Sequence, residues 1–468
     1  MQQNNREILL AGAEYQDAYT DLKWVSRAPH GNWAIRLLGF VLRKAFRKGC
    51  SSITFDQLSF EKAMARIAPG HLVVLAPTHR SMMDFLVCSY LCFAHPELKI
   101  SIPYIAADLQ LGKLPFLGWL LKQAYAFYLK RGQGKADPEL NAQLRQLVDA
   151  QQTLEIFIEG TRSRARQCLP PKRGLLRALQ QTGVTCALLP ITINYDRVPE
   201  EASLLKELEG GPKPAMRLGP LIKWWQQLLH DEIKIGRVHL VCGEPVLMEP
   251  ESDVHAVSHA VMKELQENYV VSTYHLRAFL HHHPELGLTL QSLTEALQAR
   301  GGTVLESPLL EVSQVALKTE YTLRYQWMHL FFPDLLAHCP HHPIVQHHVQ
   351  TNSFSEQYSR AARHPDPHLL PLLQALFQPL EEAYAKLLTA AAQPAGLRFA
   401  HPKAFVVHYP ECFLPMVEEA LAHLTAAKLL VKKDSQPGFE WGEAWKSQGK
   451  LYQASFWEKS PLLKTPQH

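Results

Sequence analysis

The stretch HLVVLAPTHRSMMDFLVCSY, residues 71–90, is the part of the chain on which the reading of the fold turns. Leu72 to Ala76 make a short apolar run of the kind a buried strand needs, and Pro77 then interrupts the ladder, so Thr78, His79 and Arg80 fall at a strand exit. A helix is predicted from Ser81, whose hydroxyl can cap its free N–H groups, with Met82, Phe85, Leu86, Tyr90 and Leu91 at helical spacing. Asp84 then falls one turn into the helix, within reach of His79. A carboxylate on one ring nitrogen holds a histidine in a single tautomer and leaves the other nitrogen to take a proton from a hydroxyl, which is how a general base is built. With 24 histidines in the chain, an H-x-x-x-x-D spacing recurs by chance roughly once, so the pair needs a second observation.

That observation is FIEGTRSR, residues 157–164, at the exit of another candidate strand. Arg162 and Arg164, the hydroxyls of Thr161 and Ser163, and Gly160, which permits close backbone approach, make a compact anion site suited to a phosphate. Lys172 and Arg173 follow in PPKRGLL. A solvated basic turn is the plainer reading of any R-x-R. Glu159 argues against it, because a carboxylate beside glycine at a strand end suits an arginine or a substrate hydroxyl better than a mere turn. A general base beside a phosphate pocket implies activation of a hydroxyl on a small phosphorylated molecule, without metal or organic cofactor.

Composition sets the bounds. At 468 residues, 47% apolar and 20% charged, the chain is long enough for two or three domains and is not disordered. A formal charge of +4 is too small to argue for nucleic acid and is compatible with anionic substrates or an anionic membrane face. Eight cysteines without a C-x-x-C pair read as reduced thiols of a cytosolic protein. The opening MQQNNREILL lacks the basic and apolar regions of a secretory signal. No run reaches the roughly 18 uninterrupted apolar residues of a membrane span. Leu114 to Leu129 comes nearest, interrupted by Pro115, Gly118, Lys122 and Gln123, and fits either a bilayer interface or a buried helix.

Residues 1–68 read as an amphipathic helical segment in which Arg36, Arg43, Lys44, Arg47 and Lys48 interleave with apolar residues, suited to a membrane surface or to the flank of its own domain. Over 69–275, candidate strands Leu72–Ala76, Ile100–Ala106, Glu155–Ile158, Ala187–Tyr195 and Val238–Cys242 alternate with helical segments. This is the pattern of an α/β layer, a mostly parallel mixed sheet flanked by helices. Such sheets bind ligands outside the carboxyl ends of their strands, where His79, Glu159 and Asp196 fall. Residues 276–468 read as a helical C-terminal domain, with helices at Leu288–Ala299, Val312–Trp327, Leu369–Ala392 and Leu414–Leu429 and a helix-and-hairpin unit over Glu411–Trp441.

Taken in order, HRSMMDFLVCSY, IAADLQL, AFYLKR, FIEGTRSR and LLPITINYD resemble the successive blocks of the glycerol-3-phosphate and dihydroxyacetone-phosphate acyltransferase family, over about Leu72 to Pro245. The resemblance implies that family's glycerolipid acyltransferase fold. It implies that His79 deprotonates the glycerol hydroxyl, that Asp84 orients His79, and that Arg131 meets the phosphate. Glu159, Gly160, Arg162 and Ser163, with Lys172 close by, would bind glycerol phosphate, and Pro190 would lie on the acyl-donor side. The acyl chain would come from acyl-CoA or acyl-carrier protein as co-substrate, with no cofactor, no metal and no acyl-enzyme. The product would be lysophosphatidate, made by a peripheral protein on the cytoplasmic face of the membrane as the first step of phospholipid synthesis. Two departures from the family pattern bear on the acceptor: Tyr125 stands where the family usually carries glycine, and Asp108 to Leu111 replace its G-x-N-L.

Alternatives stay open at this stage: dihydroxyacetone phosphate or a lysophospholipid as acceptor, a catalytically silent lipid-binding scaffold, and a thioesterase or lipase. Intact His79, Asp84, Glu159 and Arg162 argue against the scaffold, and Ser163 lacks the G-x-S-x-G elbow of a hydrolase nucleophile. His281 to His283 and the run His338, His341, His342, His347 and His348 lack carboxylates at ligand spacing and are not read as a metal site. Trp224 and Trp225 read as core or as a membrane-facing rim.

Overall fold

Nine strands among the described residues form one mixed sheet: β1 (Asn5–Glu7), β2 (Cys50–Asp56), β3 (Leu72–Pro77), β4 (Tyr104–Asp108), β5 (Ala126–Leu129), β6 (Leu154–Glu155), β7 (Cys186–Tyr195), β8 (Gly236–Cys242) and β9 (Val246–Met248). The structure, a computed structural model, describes residues 5–7, 33–108, 119, 122–123, 125–129, 138–212, 234–351, 363–392, 399, 401–432 and 439–453. The strand order is β1-β2-β8-β7-β3-β6-β4-β5, with β9 also on β7. Five of the eight pairings are parallel, and β1–β2, β7–β8 and β7–β9 are antiparallel, so the sheet is mixed and mostly parallel. The chain divides into two compact units, the first Met1–Glu200, Ala215–Tyr274 and Leu305–Glu311, the second Glu201–Pro214, His275–Val304 and Val312–His468.

In the first unit, β3 and β7 lie in the middle, and all ten residues of β7 are buried, as the unbroken run CALLPITINY requires of a strand covered on both faces. Leu72, Val74 and Ala76 point by strand alternation into one layer, packed with Leu144 and Val148 of helix Pro138–Asp149, Leu176 and Leu179 of helix Gly174–Gln180, and Val257, Val261 and Leu265 of helix Val254–Glu267. Helices Trp33–Gly49 and Asp84–Ala94 meet through Phe46 and Tyr90, whose rings stand edge to face at 5.3 Å. Pro190 interrupts β7 without harm. Its carbonyl accepts from Gly243 N at 2.8 Å, at the seam where β9, facing residues 186–188, gives way to β8, facing 191–195, so its missing N–H falls in a gap of the ladder.

Several local expectations change. The helical reading of 1–68 is broken by β2, which holds β-branched Ile53 and Thr54 at its centre and pairs in parallel with β8. The strand expected over Ile100–Ala106 starts only at Tyr104, after Pro103, which has no N–H for a ladder. Of Leu114–Leu129, residues Ala126–Leu129 form strand β5 on β4 rather than a helix, while most of the remainder lies outside the described residues. The strand expected over Glu155–Ile158 is only Leu154–Glu155, because the chain leaves the ladder at Phe157 to form the turn that carries Glu159. Tyr125 takes the left-handed φ of +67°, the conformation glycine favours, and its ring stacks on Tyr104 at 4.6 Å. This stack offsets a backbone cost of about 1–2 kcal/mol.

The second unit is helical, as expected: Leu290–Gln298, Gln314–Lys318, Glu320–Met328, Leu370–Ala391 and Leu414–Ala426 match the helical segments read from the sequence, with Met328 one residue beyond its segment. Thr319 interrupts the segment expected as one helix over Val312–Trp327. Leu430–Lys432 pairs antiparallel with Phe439–Trp441, the expected hairpin. Trp224 and Trp225 lie outside the described residues. Among the described residues no helix is long and apolar enough to cross a membrane.

Candidate active site

The carboxyl end of β3 is fixed before the site begins. Thr78 N donates to Ile191 O at 2.9 Å and Thr78 Oγ1 accepts from Ile193 N at 3.0 Å, so the exit of β3 is tied to β7 by backbone and side chain together. His79 follows. Its Nδ1 lies 3.1 Å from Asp84 Oδ2, its ring lies against Phe157 at 4.2 Å between centroids, and its side chain keeps 17% of its exposure. With Nδ1 on the carboxylate, Nε2 is the nitrogen left without a partner among the described residues.

Asp84 is fully buried and organises the turn. Oδ2 accepts from His79 Nδ1, from Arg80 N at 2.7 Å and from Ser81 N at 2.9 Å, and Oδ1 accepts from Tyr195 Oη at 2.7 Å. Four donors converge on a group that, as a carboxylate, only accepts. Burial, with Asp84 beside it, pushes the Tyr195 hydroxyl well above the usual phenol range, which keeps it a donor. The helix therefore begins at Asp84, not at Ser81. Ser81 Oγ donates instead to Glu200 Oε2 at 3.0 Å and accepts from Met83 N at 3.1 Å.

Behind this turn lies a buried ion pair. Arg80, 1% exposed, donates through Nη1 to both oxygens of Glu159 at 2.7 and 2.9 Å, and through Nε to Tyr269 Oη at 2.8 Å. Glu159 Oε1 also accepts from His79 N at 3.1 Å and Oε2 from Leu169 N at 2.8 Å. Glu159 thus has no exposed surface and faces the protein, joining the base's own backbone to the loop after the FIEGTRSR turn. Burial opposes the Arg80 charge, but Glu159 together with Tyr269 and Cys168 outweighs it and holds the guanidinium above its ordinary range.

The remaining sequence-predicted residues divide. Arg162 Nη1 donates to Glu200 Oε1 at 2.5 Å, and that oxygen also accepts from Met82 N at 2.6 Å, so the arginine and the His79 turn share one carboxylate. Ser163 N donates to His79 O at 2.9 Å, while Ser163 Oγ, buried, has no hydrogen-bond partner among the described residues. Gly160 takes φ +68°, and a Cβ there would lie 2.8 Å from Cγ of the exposed Lys172. Pro190 lies on β7 opposite Ala76, three residues before His79, in the strand neighbouring the site. Arg131 lies outside the described residues. Arg80, Tyr195, Glu200 and Tyr269 are the residues sequence reading gives no role. Tyr195 ends the quoted block LLPITINYD, but Glu200 and Tyr269 sit 119 and 189 positions from the residues they hold, with no local signal.

Glu155 adds a second buried acid. Both its oxygens lack a hydrogen-bond partner among the described residues, and burial, then Asp84, pushes its carboxyl well above the usual range. Among the described residues no group of three histidine, cysteine, aspartate or glutamate side chains is placed to hold a metal. The histidine runs have other partners: His283 lies 3.0 Å from Glu285, and His348 lies 2.9 Å from Glu419.

A family model described as acyltransferase matches residues 60–194, the span holding His79, Asp84 and the FIEGTRSR turn. A dihydroxyacetone phosphate acyltransferase of Bos taurus is 33% identical over 222 residues, 46% of this chain and 32% of that one. A glycerol-3-phosphate acyltransferase of Xanthomonas axonopodis pv. citri is 32% identical over 241 residues, 50% of this chain and 26% of that one. The chain thus spans about a third or less of the length of these curated relatives. Among solved structures, a 1-acyl-sn-glycerophosphate (LPA) acyltransferase from Thermotoga maritima is 18% identical, covering 54% of this chain and 95% of that one, with a TM-score of 0.28. By that match residues 60–194 belong to the acyltransferase family, and about half of the chain is similar to glycerolipid acyltransferases.

Proposed function

We propose that the protein transfers a fatty acyl chain from acyl-CoA or acyl-carrier protein to a hydroxyl of glycerol 3-phosphate, giving lysophosphatidate, and works as a peripheral protein at a membrane surface. The observation that carries this reading is His79 Nδ1 on the buried carboxylate of Asp84, with Nε2 left to act. Nε2 takes the hydroxyl proton as the oxygen attacks the thioester carbonyl. The tetrahedral intermediate expels the thiolate, which leaves as thiol with the proton from His79. One ester forms, one thioester breaks, and no acyl-enzyme intervenes.

Arg162, Lys172 and Arg131 are the cations proposed for the phosphate. Arg162 is held in place by Glu200, and Lys172 packs over Gly160. Ser163 Oγ, buried beside His79 without a partner among the described residues, is proposed to bond the acceptor. Pro190 is proposed to bound the donor side. In this reading 69–275 is the catalytic domain, preceded by the segment 1–68 and followed by the helical domain 276–468.

The second reading, dihydroxyacetone phosphate as acceptor, is favoured by the relatives, since those named for that substrate match as well as those named for glycerol 3-phosphate. The test is transfer of labelled palmitate, from CoA and from carrier protein, to glycerol 3-phosphate, dihydroxyacetone phosphate and lysophosphatidate, with His79→Ala as control. Turnover with one acceptor that is lost in the variant supports the reading and names the acceptor. Thioester loss with water as the only acceptor rejects it.

A further inference from the structure

Helix Trp33–Gly49, WAIRLLGFVLRKAFRKG, buries one face through Ile35, Leu42, Ala45 and Phe46 and turns the other outward. The outward stripe runs Trp33, Leu37, Phe40, Lys44 and Lys48, recurring every three or four residues along about 25 Å of helix. Trp33, Leu37 and Phe40 are 56%, 47% and 48% exposed, and Trp119, 48% exposed, brings its ring to 5.9 Å from that of Trp33. Four of the nine large apolar side chains exposed among the described residues therefore belong to one face.

The charge is equally one-sided. The helix carries five cations, Arg36, Arg43, Lys44, Arg47 and Lys48, and no acidic residue. Lys44 Nζ sits 4.6 Å from the centre of the Phe40 ring, so cation and apolar surface lie side by side. A water-facing surface has no use for Trp33, Leu37 and Phe40 on one helix with Trp119 beside them, and a core helix would not expose them. Burying the stripe against a second copy of the chain would set five cations against five. A bilayer interface with anionic headgroups accepts both halves: rings and leucine at the acyl boundary, ammonium and guanidinium groups among the phosphates.

We propose that this face docks the protein on an anionic phospholipid surface, the helix lying in the membrane plane with Trp33, Leu37, Phe40 and Trp119 inserted and Arg36, Lys44, Arg47 and Lys48 on lipid phosphates. It rests on the proposed membrane-surface location and names the face and the lipid charge.

The experiment is sedimentation of the full chain with vesicles of phosphatidylcholine alone and of phosphatidylcholine with phosphatidylglycerol. Acyl transfer from a water-soluble short-chain thioester is followed in parallel without vesicles. Binding is expected to need phosphatidylglycerol, to weaken with salt, and to fall about tenfold or more in Trp33→Ala/Phe40→Ala and, separately, in Lys44→Glu/Lys48→Glu, with unchanged thermal melting and unchanged soluble turnover. These positions are exposed, so the variants are expected to fold. Equal binding by the variants, or a dimer that the variants convert to monomer while lipid binding persists, overturns the docking face. Loss of acyl transfer in the unaltered chain with lipid binding intact overturns the proposed reaction instead.

Discussion

Tyr195 donates its hydroxyl to Asp84 Oδ1 at 2.7 Å, on the carboxylate oxygen opposite the one that His79 meets. The two contacts pin the carboxylate from both sides, so Asp84 cannot swing to present its other oxygen to the imidazole. Tyr195→Phe removes one pin and leaves a buried acceptor unsatisfied. The expected loss is about 1–3 kcal/mol of stability. Turnover is expected to fall with it, several-fold, with little change in KM. Denaturant unfolding beside steady-state kinetics checks this, and an unchanged kcat would remove Tyr195 from the positioning of His79.

His79→Ala and Asp84→Asn should differ in kind. Losing the base is expected to lower turnover about 10²- to 10⁴-fold. Stability should change little, because the His79 side chain is only partly buried. Asp84→Asn places an amide N–H₂ among the four donors that converge on Asp84, so stability is expected to drop along with activity. Circular dichroism melts of the two variants make the comparison, and an Asp84→Asn protein as stable as the parent would contradict the hydrogen-bond assignment.

The Arg80–Glu159 pair is buried on both sides, with side-chain exposures of 2% and 0%. Breaking such a pair by removing one partner costs about 3–5 kcal/mol, because the other charge is left in the interior. Glu159→Leu and Arg80→Met are each expected to lie in that range, and the double variant to be far less destabilised than their sum. Additive losses in a denaturant double-mutant cycle would show that the two charges are not coupled.

Gly160→Ala forces a Cβ onto a backbone at φ +68° and against Lys172 Cγ. About 1 kcal/mol of stability should be lost to the backbone alone. Because Lys172 must shift, KM for the phosphorylated acceptor is expected to rise several-fold while KM for the acyl donor holds. A rise in both would place Gly160 in the general folding of the turn, not in acceptor binding.

Acid should destabilise the protein through buried neutral histidines. Burial, with Arg237 nearby, holds His239 down to about 3 from the ordinary 6.5, and its Nδ1 lies 2.8 Å from Thr54 Oγ1. The folded pKa lies below the unfolded one, so the unfolded chain binds the extra proton. The contribution is whole above pH 6.5 and is lost progressively as pH falls toward about 3, at no more than about 1.4 kcal/mol per pH unit for one histidine. His239→Asn is expected to flatten that slope in unfolding measured from pH 7 to 4. An identical slope would mean that His239 titrates freely in the folded state.

The apolar runs that became β3, β7 and β8, the helices of the second unit and the hairpin near Trp441 were legible because each is long enough, or sharply enough bounded by turn residues, for its period to show. Strands β5 and β9, of four and three residues, carry no readable period and exist because a neighbouring strand offers them a ladder, while the strand expected over Glu155–Ile158 shrinks to the two residues of β6. Ser81 looks like a helix cap in isolation. Glu200, 119 residues away, takes its hydroxyl, and Asp84 takes the backbone donors that a cap would have served.

By itself the sequence determined which chemical groups gather at the strand exits and in what order, because backbone preference and hydrophobic period act over a few residues and carry His79, Asp84 and the FIEGTRSR turn with them. Only the tertiary structure decided how those groups are used. Whether Glu159 meets a substrate or a buried arginine, and whether Tyr195, Glu200 and Tyr269 matter at all, depends on which charges lose their water on folding. That is settled by contacts such as Arg80 with Glu159, 79 positions apart, and Arg80 with Tyr269, 189 positions apart, which no local pattern records.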